Sequence, residues 1–408
     1  MTAAPGEGVG ATFEVEVGPV AHGGHCVARH QGRVVFVRHA LPGERVRVQI
    51  TDTGHDRFWR GDAVEVLDPD PDRVTPPCPV AGPGGCGGCD LQHAAPAAQR
   101  RLKAAVLAEQ LTRLGGLDVD RLVEAAVWSG TVDALPDPPG APGEGLGWRT
   151  RVHYRADAEG RPAMLAHRSH ELVPLPAEGC RIAVPELARP PHAPAEGVRP
   201  STGPAVWGVG APDGRIVEEV GGGRFGLAAA GFWQVHPAAA ALLQRTVVTA
   251  LDPQPGESAL DLYCGVGLFA AGLLAAGCDP VAGVEASRAA VDDARANLAA
   301  AAGADQAPAV RLVAGRVDRA LGRRGGPLDR RWDLVVLDPP RSGAGRAVVE
   351  QVVARRPRAV GYVACDPAAL GRDLATFARL GYRLAGLRAF DLFPMTQHLE
   401  AVATLVRD

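Results

Sequence analysis

Apolar and polar side chains alternate in short runs over residues 13–67: Phe13-Glu14-Val15-Glu16-Val17, Val34-Val35-Phe36-Val37, Arg45-Val46-Arg47-Val48-Gln49-Ile50 and Ala63-Val64-Glu65-Val66-Leu67, with glycine-bearing turns between them. A period of two marks strands with one buried face, and several at this spacing predict a small all-β barrel of OB type. Past Gly231 the pattern changes. Short, largely apolar runs at 258–264, 280–285, 310–314, 332–338 and 359–365 alternate with helical stretches at 268–276, 288–302 and 344–354. That alternation predicts an α/β fold, a parallel sheet covered by helices on both faces. Between these regions, 68–90 is rich in Pro, Gly and Cys, 95–114 reads as a helix, and 133–140 as a loop or linker. Strand-like pieces follow at 149–156 and 163–167, then a second Pro/Gly-rich stretch at 177–204. Pattern alone assigns this middle region no fold.

The 408 residues leave room for two or three domains with a sizeable core. A net charge of −3 gives no global argument for nucleic-acid binding. Locally the barrel is basic: Arg45, Arg47, Arg57 and Arg60 surround Phe58 and Trp59. Such a mixture suits RNA phosphates and base stacking, and equally an ordinary solvated sheet face. The first residues carry neither a basic nor an apolar leader, and the longest apolar stretch, 268–276, is too short for a bilayer. A cytoplasmic protein with no membrane partner is expected. Eight cysteines in such a chain point to metal or catalysis rather than to a disulfide framework.

Cys365 ends the predicted strand 359–365, and Pro367 prevents the ladder from continuing. In an open α/β sheet the carboxyl edge is where ligands bind, so a thiol there reads as a nucleophile or as core filler. Asp261-Leu262-Tyr263-Cys264-Gly265-Val266-Gly267 runs from a strand through a glycine turn into a helix, and Glu285 closes the next strand. Glycines let a ligand approach the backbone, and the carboxylate can accept from both ribose hydroxyls. The third glycine of a dinucleotide site is missing, which favours S-adenosylmethionine over NAD. Asp338-Pro339-Pro340-Arg341 ends another strand at the same edge. Gln397-His398-Leu399-Glu400 precedes a last predicted strand; if that strand runs antiparallel, Glu400 faces Cys365, a nucleophile beside a base. Cys78, Cys86, Cys89 and the distant Cys180 form a second set on glycine-rich backbone, suited to an iron–sulfur cluster, with a four-cysteine zinc site as the alternative.

Together these residues resemble the S-adenosylmethionine-dependent uracil-C5 RNA methyltransferases, in the branch with an N-terminal TRAM domain and a 4Fe–4S cluster. The resemblance spans nearly the whole chain and keeps the family's motif order. It implies an OB-like TRAM barrel at 8–68, a small α+β central domain carrying the cluster at 69–230, and a Rossmann-like class I methyltransferase domain at 231–408. Cys78, Cys86, Cys89 and Cys180 are similar to the cluster ligands. Gly231-Phe232-Trp233-Gln234 resembles the family's GFxQ, placing Gln234 with Tyr263, Gly265, Glu285 and Asp338 at cofactor-contacting positions. Cys365-Asp366-Pro367 is similar to the nucleophile motif, and Glu400 to the base in H-x-E. The implied reaction is 5-methyluridine formation in structured RNA, 23S rRNA ahead of tRNA, by a monomeric enzyme. An RNA-binding protein that keeps the fold without full activity is the alternative. Three positions depart from the family pattern: the seven-residue gap between Cys78 and Cys86, Leu268 after the glycine turn, and Arg316 where relatives often place Asp or Asn.

Overall fold

A computed structural model describes residues 8–157, 160–189, 205–208, 214–302 and 310–408. Much of the Pro/Gly-rich stretch at 177–204 therefore lies outside the described residues. The chain divides into two compact units: Met1–Val106, Asp137–Trp207 and Phe393–His398 form the first, and the remaining segments form the second.

The first unit opens with strands β1 (Thr12–Ala21), β2 (His25–His30), β3 (Arg33–Arg38), β4 (Arg45–His55) and β5 (Phe58–Asp68), closed into a barrel in the order β1-β2-β3-β5-β4. Alternate residues fill it: Val15, Val17, Val35, Val37, Val46 and Val48 pack against Ile50 and Trp59. The predicted barrel forms, with β2 as an additional strand; His25-Cys26-Val27-Ala28-Arg29-His30 is too polar at its ends to read as one from pattern.

The chain continues through α1 (Pro96–Arg113), α2 (Val119–Glu124), β6 (Asp133–Ala134), β7 (Arg151–Ala156), β8 (Pro162–Leu165), β9 (Leu172–Pro174), α3 (Pro185–Ala188), β10 (Ala205–Gly208), β11 (Arg215–Val220) and β12 (Gly223–Ala228). Strands β10-β7-β8-β9 form a small sheet whose core includes Val152, Tyr154 and Leu187.

In the second unit follow α4 (Ala239–Leu251), β13 (Ala259–Leu262), α5 (Leu268–Ala275), β14 (Val281–Glu285), α6 (Arg288–Ala302), β15 (Val310–Ala314) and α7 (Val317–Gly322). Then come β16 (Leu334–Leu337), α8 (Arg346–Ala354), β17 (Ala359–Ala364), α9 (Pro367–Arg379), β18 (Tyr382–Asp391) and β19 (Glu400–Arg407). The sheet order is β15-β14-β13-β16-β17-β19-β18-β6. The first five strands are parallel, as the alternation predicts. The far edge is not: β19 runs antiparallel to both β17 and β18. Asp133-Ala134, expected in a loop, instead pairs with the end of β18 as a two-residue edge strand. Helices cover both faces. Val247 and Leu251 of α4 lie against Gly361, whereas Tyr362, on the opposite side, bonds Asp373 of α9. Among the described residues no helix is long and apolar enough to cross a membrane.

Candidate active site

The antiparallel return of β19 brings the Cys365 thiol and the Glu400 carboxyl together. Ala364 pairs with Ala401, so the next step of the same register sets Cys365 opposite Glu400. Asp338 follows β16 on the neighbouring side, its N–H donating to the Leu262 carbonyl at 3.2 Å. Asp366 caps α9 by accepting from Ala369 N at 2.7 Å, which fixes the turn just after the thiol. Glu400 is only 3% exposed, and Cys365 and Asp338 are half-buried.

Electrostatics mark this edge. Burial, then the charge of Asp338, pushes the Glu400 carboxyl well above the usual range, with Arg341 acting against them. Burial likewise raises Asp338 to about 7. The Cys365 thiol is pushed up to about 12 by burial, then by Glu400 and Asp338, with Arg341 opposing. Buried carboxyls held close together share protons and make the site receptive to a cation.

The glycine turn after β13 lies at the same edge. Gly265 and Gly267 take φ of 51° and 92°, and Tyr263 is left-handed as well, at 64°. A non-glycine residue in that region stores strain of roughly 1–3 kcal/mol, a mark of ligand clamps. Glu285 binds the turn from the next strand, accepting from Gly265 N at 3.2 Å and from Ser287 N at 2.7 Å. Gln234 is buried beside Trp233, while Phe232 of the same motif is exposed.

Three residues contribute, to which the motif reading gave no role of their own. Asp261 is fully buried in β13; its Oδ2 accepts from Ala270 N at 2.9 Å, and its Oδ1 has no partner among the described residues. Burial raises its pKa well above the carboxylate range, the Ala270 hydrogen bond opposes this, and the charges of Asp338 and Glu285 add to it. The signal was present: a carboxylate between leucines of a core strand. Asn297 of α6 donates to the Val266 carbonyl at 3.0 Å and accepts from Gly226 N at 2.8 Å, steadying the glycine turn. Asp373 of α9 accepts from Tyr362 Oη at 2.6 Å and from Ala344 N at 2.8 Å, anchoring the loop that begins at Asp338. Neither Asn297 nor Asp373 has a local pattern that would single it out. Of the departing positions, Leu268 is buried at the start of α5, and Arg316 pairs with Asp318 at 2.8 Å.

The second cysteine set also converges. Cys78, Cys86, Cys89 and Cys180 line one cavity in the first unit. Gly88 N donates to Cys86 Sγ at 3.4 Å, and Cys78 N to Gln92 Oε1 at 3.0 Å. A Cβ at Gly87 would lie 2.8 Å from His167 Cα, so glycine is required for that close approach. Among the described residues no three His, Cys, Asp or Glu side chains are already arranged to hold a metal ion.

A tRNA (Uracil-5-)-methyltransferase family model matches residues 230–408, and a TRAM domain model matches residues 7–64. An uncharacterized RNA methyltransferase of Streptomyces avermitilis is 45% identical over 97% of this chain and 98% of its own. The 23S rRNA (uracil(1939)-C(5))-methyltransferase RlmD of Cronobacter sakazakii is 31% identical over 94% of each chain. The solved Pyrococcus abyssi tRNA (uracil-54, C5)-methyltransferase in complex with S-adenosyl-L-homocysteine has a similar fold, with a TM-score of 0.65 at 19% identity, over 97% of this chain and 100% of that one.

Proposed function

Because the chain belongs to the RNA uracil-C5 methyltransferase family, we propose that it methylates C5 of a uridine in structured RNA through a covalent bond between Cys365 and C6 of the base. The observation that carries this reading is the register that sets Cys365 opposite Glu400, with Asp338 at the same edge. Uracil C5 is a weak nucleophile until sulfur adds at C6. The new S–C6 bond moves the C5–C6 π electrons towards O4, and C5, now carbanion-like, accepts the methyl group. Glu400 then takes the C5 proton, the C6–S bond breaks, and the Cys365 thiolate leaves. In its ionised form, which the positive charge of the bound cofactor favours, a carboxylate of raised pKa is a stronger base than an ordinary one.

S-adenosylmethionine fits the neighbouring residues, with Gln234, Tyr263, Gly265, Glu285 and Asp338 assigned to hold it. The unpartnered Asp261 Oδ1 and the raised Asp338 make this region favourable to a positive charge. When bound, that cofactor supplies an electrophilic methyl group on a cationic sulfur, whose charge also lowers the cost of forming a thiolate at Cys365.

In this reading residues 8–68 engage RNA, 69–230 carry a 4Fe–4S cluster, and 231–408 perform the chemistry. Four thiols around one cavity, with backbone N–H groups turned towards sulfur, suit such a cluster. Iron content and visible absorption of anaerobically purified protein test it; zinc in place of iron rejects it. A 23S rRNA target is favoured by the relative named for that activity, which matches along nearly the whole chain. Mapping 5-methyluridine in total RNA from cells with and without the gene decides. Loss of one rRNA site supports the assignment, loss of a tRNA site redirects it, and an unchanged map rejects the activity.

A further inference from the structure

The second unit holds a concavity that none of these steps uses. It is a groove of about 540 Å³, in the size range of roughly 300–1,000 Å³ typical of ligand sites. Its floor is the sheet, at Gly386, Arg388, Val402 and Thr404, and one wall is α4. Thr404 pairs with Gly361, whose α-carbon faces α4, so the even-numbered side chains of β19 project to that face. Glu400, Val402 and Thr404 thus share one side of the strand. Two residues of strand advance about 6.8 Å, so the groove starts one side-chain position beyond the base. A uracil held between Cys365 and Glu400 leaves an adjacent nucleotide within reach of it.

The lining offers two arginines and several hydroxyls to a sugar-phosphate, with the Asp133 carboxylate among them. Arg245 stands exposed on the α4 wall and makes no ion pair among the described residues. Arg388 is paired with Asp133 at 2.7 Å and lies 4.8 Å above the Phe390 ring, which holds it in place. Thr246 and Thr404 add hydroxyl-bearing side chains on the α4 and β19 sides, the residues themselves 6% and 8% exposed. A ribose 2′-OH both donates and accepts, as these hydroxyls do. At the irregular pairing between Leu384 and Gly386, glycine keeps the floor open: a Cβ there would have Thr404 as its nearest neighbour, at 3.8 Å.

We propose that this groove binds the phosphate and ribose of a nucleotide next to the target uridine, with Arg245 and Arg388 on the phosphate and Thr404 and Thr246 on the sugar. The proposal rests on the reading of the chain as a uridine methyltransferase. It makes the groove part of how the enzyme selects its RNA.

The test uses the full chain, RNA prepared from cells lacking the gene, and the variants Arg245→Gln and Thr404→Val. Arg245→Gln is expected to raise KM for RNA roughly tenfold, the loss of one charged hydrogen-bonding contact. It should also flatten the dependence of log KM on log salt by about 1. Thr404→Val should raise KM about threefold with the salt slope unchanged. Both should keep kcat within twofold and bind S-adenosylmethionine like wild type in calorimetry. KM and salt slope unchanged in both variants, with wild-type enzyme active, overturn the groove alone. A wild-type protein that forms no 5-methyluridine overturns the methyltransferase reading, and the groove with it.

Discussion

Two glutamates are buried to the same degree and do opposite things. Glu44, in the barrel unit, is 0% exposed, and Glu400, in the sheet unit, is 3% exposed. Glu44 accepts from Leu41 N at 2.7 Å, Asp70 N at 3.1 Å and Arg73 Nη2 at 2.6 Å. Burial raises its pKa, but these hydrogen bonds outweigh burial and bring it below the ordinary value. Among the described residues Glu400 has no such partners: burial and the charge of Asp338 push it up, and Arg341 resists. A satisfied buried charge is structural. A buried carboxyl without such partners at the carboxyl edge of an α/β sheet is held towards its neutral form and is ready to ionise when a cation arrives.

Removing each charge should therefore have opposite effects. Glu400→Gln is expected to lower turnover by about 10²–10⁴-fold, the usual contribution of a general base. A denaturant-stable protein–RNA adduct should accumulate, with the melting temperature unchanged or higher. If the variant shows only weakened cofactor binding, Glu400 is not the base. Cys365→Ala should abolish both transfer and adduct while RNA binding persists; normal turnover would exclude the covalent route.

Glu44→Gln comes next in size. It strands Arg73 in a buried position and should cost about 3–5 kcal/mol in urea unfolding, with kcat of the folded fraction near wild type. A loss below about 1 kcal/mol would mean that Glu44 is not an ionised buried partner.

The buried histidines of the first unit and the Asp338 edge of the second should also respond oppositely to pH. Burial, then Arg38, lowers His25 and His39 to about 3, and burial, then Arg73, lowers His93 to about 4. These folded values lie below the unfolded value of about 6.5, so the unfolded chain binds more protons between them. Stability from these groups is complete above about 6.5 and is lost as pH falls towards about 4 and 3. Asp338 has the reverse sign. Its folded value of about 7 exceeds the unfolded value of about 3.9, so its contribution is complete below about 3.9 and is lost as pH rises through about 7. Hydrogen exchange, corrected for intrinsic rates, should show β1–β5 losing protection on acidification and the ends of β16 and β19 losing it on alkalinisation. The same sign in both units would contradict the comparison.

The sequence made the parts of this contrast unequally visible. Cys365, the glycine turn and the Asp338 motif were legible because each breaks a regular apolar run at a strand end. The barrel was legible from its period of two. The direction of β19, which decides whether Glu400 meets Cys365, depends on β18, whose arginines at 383 and 388 obscure the alternation. Glu44 gave no signal at all, since its partners come from residues 41, 70 and 73 and are assembled only by the fold.

The smallest effect probes the support beneath the loop that begins at Asp338. Tyr362 donates to Asp373, its oxygen accepts from Ala344 N at 3.1 Å, and Asp373 also accepts from Gly345 N at 3.2 Å. Tyr362→Phe removes one donor and one acceptor but leaves Asp373 its backbone partners. The expected cost is about 1 kcal/mol, or a fall of roughly 2–4 °C in Tm. Because Tyr362 faces away from the Cys365–Glu400 side of the sheet, kcat should fall less than tenfold, and no adduct should accumulate. A stalled adduct in this variant would mean that the Asp338 loop, rather than Glu400 alone, controls removal of the C5 proton.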